Sequence, residues 1–131
     1  MIFVDTSVWI AAFRVASGLE ATHLRDLLDA DEVALAAPVR IEILIGSSLQ
    51  DRPRLRRVLS ALPTFYPVDS TWVLIDSWLD KASKAGEQFG FADLLIAALA
   101  AQQGAAVWSL DGDFRRMADC GLVPQHLPSS A

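Results

Sequence analysis

The sequence predicts an α/β fold, a three-layer α/β/α sandwich with a central, mostly parallel sheet. Short apolar runs, which are typical of buried strands, alternate along the chain with longer segments of helical apolar spacing. This alternation supplies the crossover connections that parallel strands require. The length of 131 residues suits one domain, residues 1–131, that would bury roughly two-thirds of its unfolded surface.

The N-terminal part predicts two strands and two helices. A buried strand is expected over residues 2–5, and Thr6 opens a helix for which Asp5 or Thr6 is the N-cap. A second helix is expected over residues 20–30, because leucines recur there at helical spacing with charged residues outside. A second strand follows over residues 33–37.

Prolines and glycines set the limits of the next two helices. Pro38 suits the first turn of a third helix, and Gly46 suits its C-terminal cap. A fourth helix is expected to begin after Asp51 and to end at Pro63. Its apolar side faces inward, so its arginines cannot all do so.

The second half predicts a brief strand over residues 65–68 and a long helix that Ser70 caps. Another helix follows over residues 92–103. Small residues recur on one face of it, which would allow close approach to neighbouring elements.

The C-terminal part predicts two further strands around a short helix. The strands are expected over residues 106–109 and 123–127, and the helix over residues 114–118. Residues 128–131 are expected to form a loose tail.

Four carboxylates lie beside apolar runs, where a chain normally buries hydrocarbon. They are Asp5, Glu42, Asp93 and Asp111. Carboxylates are almost never fully buried unless they are paired or bound to metal. A cluster of like charges resists ionisation unless a cation neutralises it, so a divalent metal ion is the expected occupant. Asp5 and Asp111 follow predicted strands, and ligands of parallel sheets bind outside the carboxyl ends of strands. The sequence therefore indicates a metal-dependent enzyme.

Each acid also has an ordinary structural interpretation. Asp5, Asp93 and Asp111 could act as helix N-caps, and a capping carboxylate can still serve a site, since helix N-termini favour negative charge. Glu42 could pair with Arg40, which would partly close the pocket. The coincidence of all four acids favours a shared pocket over four separate roles.

The same residues resemble a known family. Four segments carry the likeness: Ile2–Ser7, Glu42 with Gly46, Asp93–Ala98, and Ser109–Phe114. Together, in this order, they resemble PIN-domain ribonucleases, most closely VapC-type toxins. One departure is Ile43 after Glu42, where leucine is more usual.

That resemblance implies a PIN-like fold and a site of Asp5, Glu42, Asp93 and Asp111 that binds Mg²⁺ or Mn²⁺, with Asp113 as a further acid. Thr6 and Ser109 match positions where a hydroxyl supports the acids. The implied activity is metal-dependent endoribonuclease cleavage of RNA phosphodiester bonds, by the toxin of a type II toxin–antitoxin pair. A VapB-like antitoxin and a homodimer are the implied partners.

Composition limits the class of protein. Although 53% of the residues are hydrophobic, the longest uninterrupted apolar stretch, Leu94 to Ala101, is far shorter than the ~20 residues that span a membrane. We expect no signal peptide, because Asp5 interrupts the first apolar run. The single cysteine, Cys120, fits a reducing compartment, so a cytoplasmic protein without membrane contact is expected.

The net charge of −5 excludes a general basic field for nucleic acid, so contacts with RNA must be local. Arg14, Arg115 and Arg116 lie nearest the predicted crevice and are the favoured phosphate contacts. The arginines of the fourth helix are favoured as a solvated face; they are Arg52, Arg54, Arg56 and Arg57.

The remaining aromatic and imidazole side chains are favoured as structural residues. Packing in the core or in a dimer is expected for the tryptophans, which are Trp9, Trp72, Trp78 and Trp108. His23 and His126 lack metal-ligand spacing and are not expected to take part in catalysis.

Two other protein classes also place an acid after the first strand of an α/β sheet, and the sequence disfavours both. A dehalogenase-like phosphatase would need a second Asp where the chain has Ser7, and a phosphotransfer receiver would need a Lys after a late strand. The remaining alternative is a non-catalytic PIN-like module that binds RNA or protein.

Overall fold

A single parallel sheet lies at the centre of the computed structural model, which describes residues 1–128. Its strands are β1 (Ile2–Val4), β2 (Val33–Ala36), β3 (Thr64–Phe65) and β4 (Ala106–Trp108). The order across the sheet is β3-β2-β1-β4, and every neighbouring pair is parallel. The predicted α/β fold with a parallel sheet is confirmed.

The strand order reverses once, and this reversal positions the site. The chain moves outward from β1 through β2 to β3 and then returns to the other side of β1 as β4. Crossovers between parallel strands are right-handed, which places the helices before β3 on one face of the sheet and those after β3 on the other. The reversal creates a crevice between the carboxyl ends of β1 and β4, where ligands of such sheets bind.

The helices account for most of the remaining described residues. They are α1 (Thr6–Arg14), α2 (Leu19–Asp29), α3 (Ala37–Ile45), α4 (Arg52–Ser60), α5 (Asp69–Lys84), α6 (Phe91–Gln102) and α7 (Gly112–Asp119). The prediction that Ser70 caps α5 is wrong, because Val68 is the N-cap residue. Its backbone N–H donates to the Thr71 hydroxyl at 3.0 Å, and Thr71 is fully buried. No helix within residues 1–128 is both long and apolar enough to cross a membrane.

Two predicted strands are shorter than expected. The strand over residues 65–68 is limited to Thr64–Phe65, because Pro67 has no N–H to donate to a ladder. The strand over residues 123–127 is reduced to one parallel bridge between Val107 and Gln125. The backbone of His126 donates to Val107 O at 2.8 Å, so this segment still lies along β4. Most of the expected C-terminal tail, residues 129–131, lies outside the described residues.

The hydrophobic core is continuous beneath both faces of the sheet, and α6 is its most buried helix. Every residue from Leu94 to Ala100 is buried. Ala97, Ala98 and Ala100 have no exposed surface, so the small side chains let α6 approach its neighbours closely. This packing fixes the N-terminal turn of α6, which carries Asp93.

The four tryptophans do not share one environment. Trp9, Trp78 and Trp108 are buried in the core, as predicted. Trp72 is 44% exposed and stacks on the exposed Phe91, with ring centroids 6.0 Å apart. Trp72 therefore lies outside the core, and of the two expected environments packing in a dimer stays a prediction for it.

Candidate active site

Asp5 directly follows β1, and its carboxylate is buried at the crevice. It occupies the N-cap position of α1, yet its side chain makes no capping hydrogen bond. Instead Oδ2 accepts hydrogen bonds from Ser109 Oγ at 2.7 Å and Ser7 Oγ at 2.9 Å. Within residues 1–128 no side-chain hydrogen bond reaches Oδ1. The simple capping interpretation of Asp5 is thus excluded, and one carboxylate oxygen is left for another ligand.

Ser7 and Ser109 also join the carboxyl ends of β1 and β4. Ser109 Oγ accepts from the backbone N–H of Asp111 at 3.0 Å, and Ser7 Oγ accepts from Leu110 N–H at 3.0 Å. The backbone N–H of Asp5 donates to Trp108 O at 2.9 Å. These contacts hold the turn that carries Asp111 against the start of α1.

Three further carboxylates converge beside this turn. Asp93, Asp111 and Asp113 each offer a carboxylate oxygen, and these oxygens lie within 4.8 Å of one another. Asp93 is in the first turn of α6, whose N-cap is Gly90, so Asp93 is not the cap. Asp111 is the N-cap of α7 and accepts from Asp113 N–H at 3.0 Å through Oδ1. Its capping role and its place in the cluster coexist.

Electrostatic coupling joins Asp5 to this cluster. The pKa of Asp93 is raised to about 7, mainly by burial, then by a hydrogen bond with Asp113 and by the charges of Asp111, Asp5 and Asp113. Burial and the neighbouring acids all disfavour the ionised form of Asp93, and no positive charge among the described residues offsets them. The cluster is therefore suited to a cation.

Glu42 approaches the crevice from α3. Burial raises its pKa, the Thr6 hydroxyl opposes that rise, and the charge of Asp5 adds to it. The alternative pairing with Arg40 is not found, because Arg40 Nη1 instead contacts Ser60 Oγ at 3.5 Å. Glu42 thus lies beside Asp5 and Thr6, and it lines a neighbouring cleft of about 560 Å³.

The donor set fits a hard divalent cation. Oxygen ligands and several carboxylates are what Mg²⁺ and Mn²⁺ prefer in proteins. Thr6 is consistent with the same assignment. Its buried Oγ1 forms no hydrogen bond of ordinary geometry among the described residues, although it lies near enough to Glu42 to lower the pKa of that carboxyl. A buried hydroxyl that is incompletely satisfied leaves room for a further polar ligand.

The arginines near the crevice differ in their contacts. Arg116 binds Glu87 at 2.9 Å and also binds Asp113, and the expectation that it contacts substrate stays a prediction. Arg115 is exposed and makes no ion pair within residues 1–128. Arg14 and Arg54 line the cleft beside Glu42.

Sequence reasoning missed two contacts. His23 and His126 bring their Nε2 atoms within 2.9 Å, with their rings stacked and packed edge-on against Trp108. Their separation of 103 positions gives no local signal of contact. Glu87 lies between two helices without any motif, so its link to Arg116 was equally hidden.

Comparison with known proteins identifies relatives along nearly the whole chain. Residues 2–119 match the PIN domain family. Ribonuclease VapC11 of Mycobacterium tuberculosis (strain ATCC 25618 / H37Rv) is 35% identical over 120 residues, and the match covers 87% of this chain and 89% of that protein.

Two solved structures share the fold at lower identity. FitAB bound to an IR36 DNA fragment contains a chain with a TM-score of 0.80 and 21% identity, with 100% of both chains covered. VapBC2 from Rickettsia felis, bound to a DNA fragment from its promoter, gives 0.77 and 20%, with 96% of this chain and 98% of that chain covered.

Proposed function

The chain belongs to the PIN domain family, and from this membership we propose that it is a metal-dependent endoribonuclease, the toxin of a toxin–antitoxin pair. The observation that best supports this proposal is the position of the acids. Those after β1, in the first turn of α6 and at the start of α7 converge on one crevice, at the point where the strand order reverses. The name of the M. tuberculosis relative, a ribonuclease, supports the same reaction. The substrate is RNA and the bond hydrolysed is a phosphodiester.

Asp5, Glu42, Asp93 and Asp111 would hold Mg²⁺ or Mn²⁺, with Asp113 as a further acid. When bound, such an ion polarises the phosphate and lowers the pKa of a water molecule. The support for this assignment is the all-oxygen donor set and the raised pKa of Asp93.

The side chains around the acids orient them. Ser7 and Ser109 donate to the same oxygen of Asp5 and so fix the direction of its other oxygen. Ser109 also fixes the turn that carries Asp111. Such supporting hydrogen bonds contribute to metal affinity, since their loss typically weakens it by roughly 10–100-fold.

The proposed partners follow from the solved relatives. Two neighbours, FitAB and VapBC2, are bound to DNA, and a third, VapBC-5 from Mycobacterium tuberculosis, is a member of the VapBC family of toxin–antitoxin systems. We assign to this chain a VapB-like antitoxin and a homodimeric state, and we place its action in the cytoplasm, where RNA is available.

The decisive experiment compares wild-type protein with Asp5→Asn on a panel of RNAs. We expect cleavage with Mg²⁺ or Mn²⁺, no cleavage with EDTA, and loss of cleavage in Asp5→Asn, because the amide removes the anionic ligand while keeping the shape. Asp119→Asn, an exposed acid at the end of α7, is the matched control and should cleave normally.

Circular dichroism should show that Asp5→Asn keeps the fold. Cleavage that persists in EDTA, or full activity in Asp5→Asn, would contradict the assignment. RNA binding without metal-dependent cleavage would point instead to a non-catalytic binding module.

A further inference from the structure

The three acids of the cluster come from two different helices, so the geometry of the cluster depends on how those helices are held together. Asp93 is carried by α6, whereas Asp111 and Asp113 are carried by the start of α7. The hydrogen bond between Asp93 and Asp113 joins the two helix ends directly. A contact that opposes the repulsion among the carboxylates would hold these ends together further.

Arg116 supplies such a contact. It lies one turn after Asp113 on α7 and binds the carboxylate of Asp113. Its Nε donates to Glu87 Oε2 at 2.9 Å, and Glu87 lies in the loop that leads from α5 into α6. Within residues 1–128, the pair between Arg116 and Asp113 is the one ion pair that reaches a member of the cluster.

Glu87, the loop residue that Arg116 binds, is itself held in place. The backbone N–H of Glu87 donates to Ala82 O at 2.9 Å, at the end of α5. Phe89 is buried in the core, and the guanidinium of Arg116 lies 5.7 Å from the centre of its ring. Arg116 therefore connects α7 to an anchored loop that begins a few residues before Asp93.

We propose that Arg116, held by Glu87, is a positioning residue that keeps Asp113 and Asp111 within metal-binding distance of Asp93. This inference rests on the proposed function. A planar guanidinium can bind two carboxylates in a fixed relative geometry, which a lysine ammonium does not impose. Arg116 thus acts through Asp113, and it does not need to touch the RNA.

Positioning by Arg116 and simple electrostatics predict opposite changes in metal affinity when Arg116 is removed. Arg116 is a cation beside a cation site, so its charge alone weakens metal binding, and its removal would tighten that binding. If its main role is to position the carboxylates, its removal must weaken metal binding instead. The sign of the change therefore separates the two effects.

The test measures Mn²⁺ binding to the full chain by titration calorimetry. For Arg116→Met, which keeps an apolar stem over Phe89, we expect the dissociation constant to rise about tenfold. Arg116→Lys should recover part of this loss. Arg115→Met, the neighbouring exposed arginine, should bind Mn²⁺ like the wild type.

Glu87→Gln provides a second variant that leaves Arg116 in place. It should weaken Mn²⁺ binding in the same direction, and it should add no further loss in the Arg116→Met background, since the bridge is already broken. In cleavage assays, Arg116→Met should need more Mn²⁺ for half-maximal rate and should approach the wild-type kcat at saturating Mn²⁺.

The outcomes are distinguishable. Unchanged or tighter Mn²⁺ binding by Arg116→Met would overturn the proposal whatever Glu87→Gln does, because loss of the Glu87 charge alone also weakens metal binding. A raised KM for RNA with an unchanged Mn²⁺ dissociation constant would assign Arg116 to substrate and would overturn it as well. A wild-type chain that binds no Mn²⁺ would overturn the proposed function itself.

Discussion

At the scale of single residues, Asp93 shows how the acidic crevice opposes folding. Its carboxylate is partly buried among three other acids, so ionisation is less favourable in the folded chain than in water. In the unfolded chain the same group ionises freely. The difference links the stability of the metal-free protein to pH.

The sign of that link follows from the raised pKa. The pKa of Asp93 rises from its unperturbed value of 3.8 to about 7 in the folded chain. Its contribution to stability is therefore fully present below the unperturbed pKa and is lost as pH rises towards 7. Above that pH the folded chain holds an unfavourable charge.

We therefore expect Asp93→Asn to stabilise the metal-free protein at pH 8, with a rise in Tm on the order of a few degrees. The advantage over the wild type should shrink at pH 5. Scanning calorimetry in EDTA measures both, and Asp119→Asn provides an exposed control. An advantage that does not change with pH would contradict this account of Asp93.

Single residues also show what the sequence could reveal about the site. The acids were visible because each interrupts or borders an apolar run, and Asp113 with Arg116 has the spacing of neighbours on a helix. Glu87 could not be found, because it is 29 positions from Arg116 and its role depends on how a loop packs. The distances within the crevice likewise depend on tertiary structure. The assignment of the acids as metal ligands stays a prediction.

At the scale of elements, helices were easier to predict than strands, for local reasons. Pro38, Gly46 and Asp111 lie at helix ends, where their backbone preferences act directly. The limits of β3 depended on Pro67, and the last segment contains Pro124, which also lacks an N–H. Strand length is set by partners, and those partners are remote in sequence.

The C-terminal segment gains an attachment that its sequence does not show. His126 is held to α2 by the contact between its Nε2 and that of His23, and both rings pack on Trp108 of β4. Burial lowers the pKa of His126, and the charge of His23 lowers it further. Its contribution to stability is therefore present above its ordinary pKa of 6.5 and is lost as pH falls through the lower folded value.

This trend opposes that of Asp93, so it is best measured in the Asp93→Asn background. There we expect Tm to fall between pH 7.5 and pH 5, and we expect His126→Gln to flatten that fall. His23→Gln should have the same effect, because both variants remove the shared imidazole contact. A pH dependence that survives both substitutions would show that other groups control it.

At the scale of the whole molecule, the sheet order could not be predicted although the fold class could. Alternating strands and helices predict a parallel sheet, but several strand orders obey the same handedness rule. The return of the chain to β4 beside β1 is what brings Ser109 and Asp111 to Asp5. The core helix α6, buried from Leu94 to Ala100, then sets the depth of Asp93.

The net charge of −5 is distributed unevenly, with several acids in the crevice, and this would make the proposed metal binding a proton-linked event. A metal ion needs an ionised carboxylate, whereas Asp93 is mostly protonated below its pKa of about 7. Binding of Mn²⁺ must therefore release a proton at pH 6 and almost none at pH 8. Affinity for Mn²⁺ should consequently rise about tenfold between pH 6 and pH 8.

Titration calorimetry in two buffers of different ionisation enthalpy measures this proton directly. We expect the heat of Mn²⁺ binding to depend on the buffer at pH 6 and to become independent of it at pH 8. Stabilisation against heat by a fixed excess of Mn²⁺ should increase over the same range, because the gain follows the ratio of free metal to dissociation constant. Buffer-independent heats at pH 6, with normal Mn²⁺ affinity, would show that Asp93 is already ionised or lies outside the metal site, and would remove the link between the fold's stability and its metal.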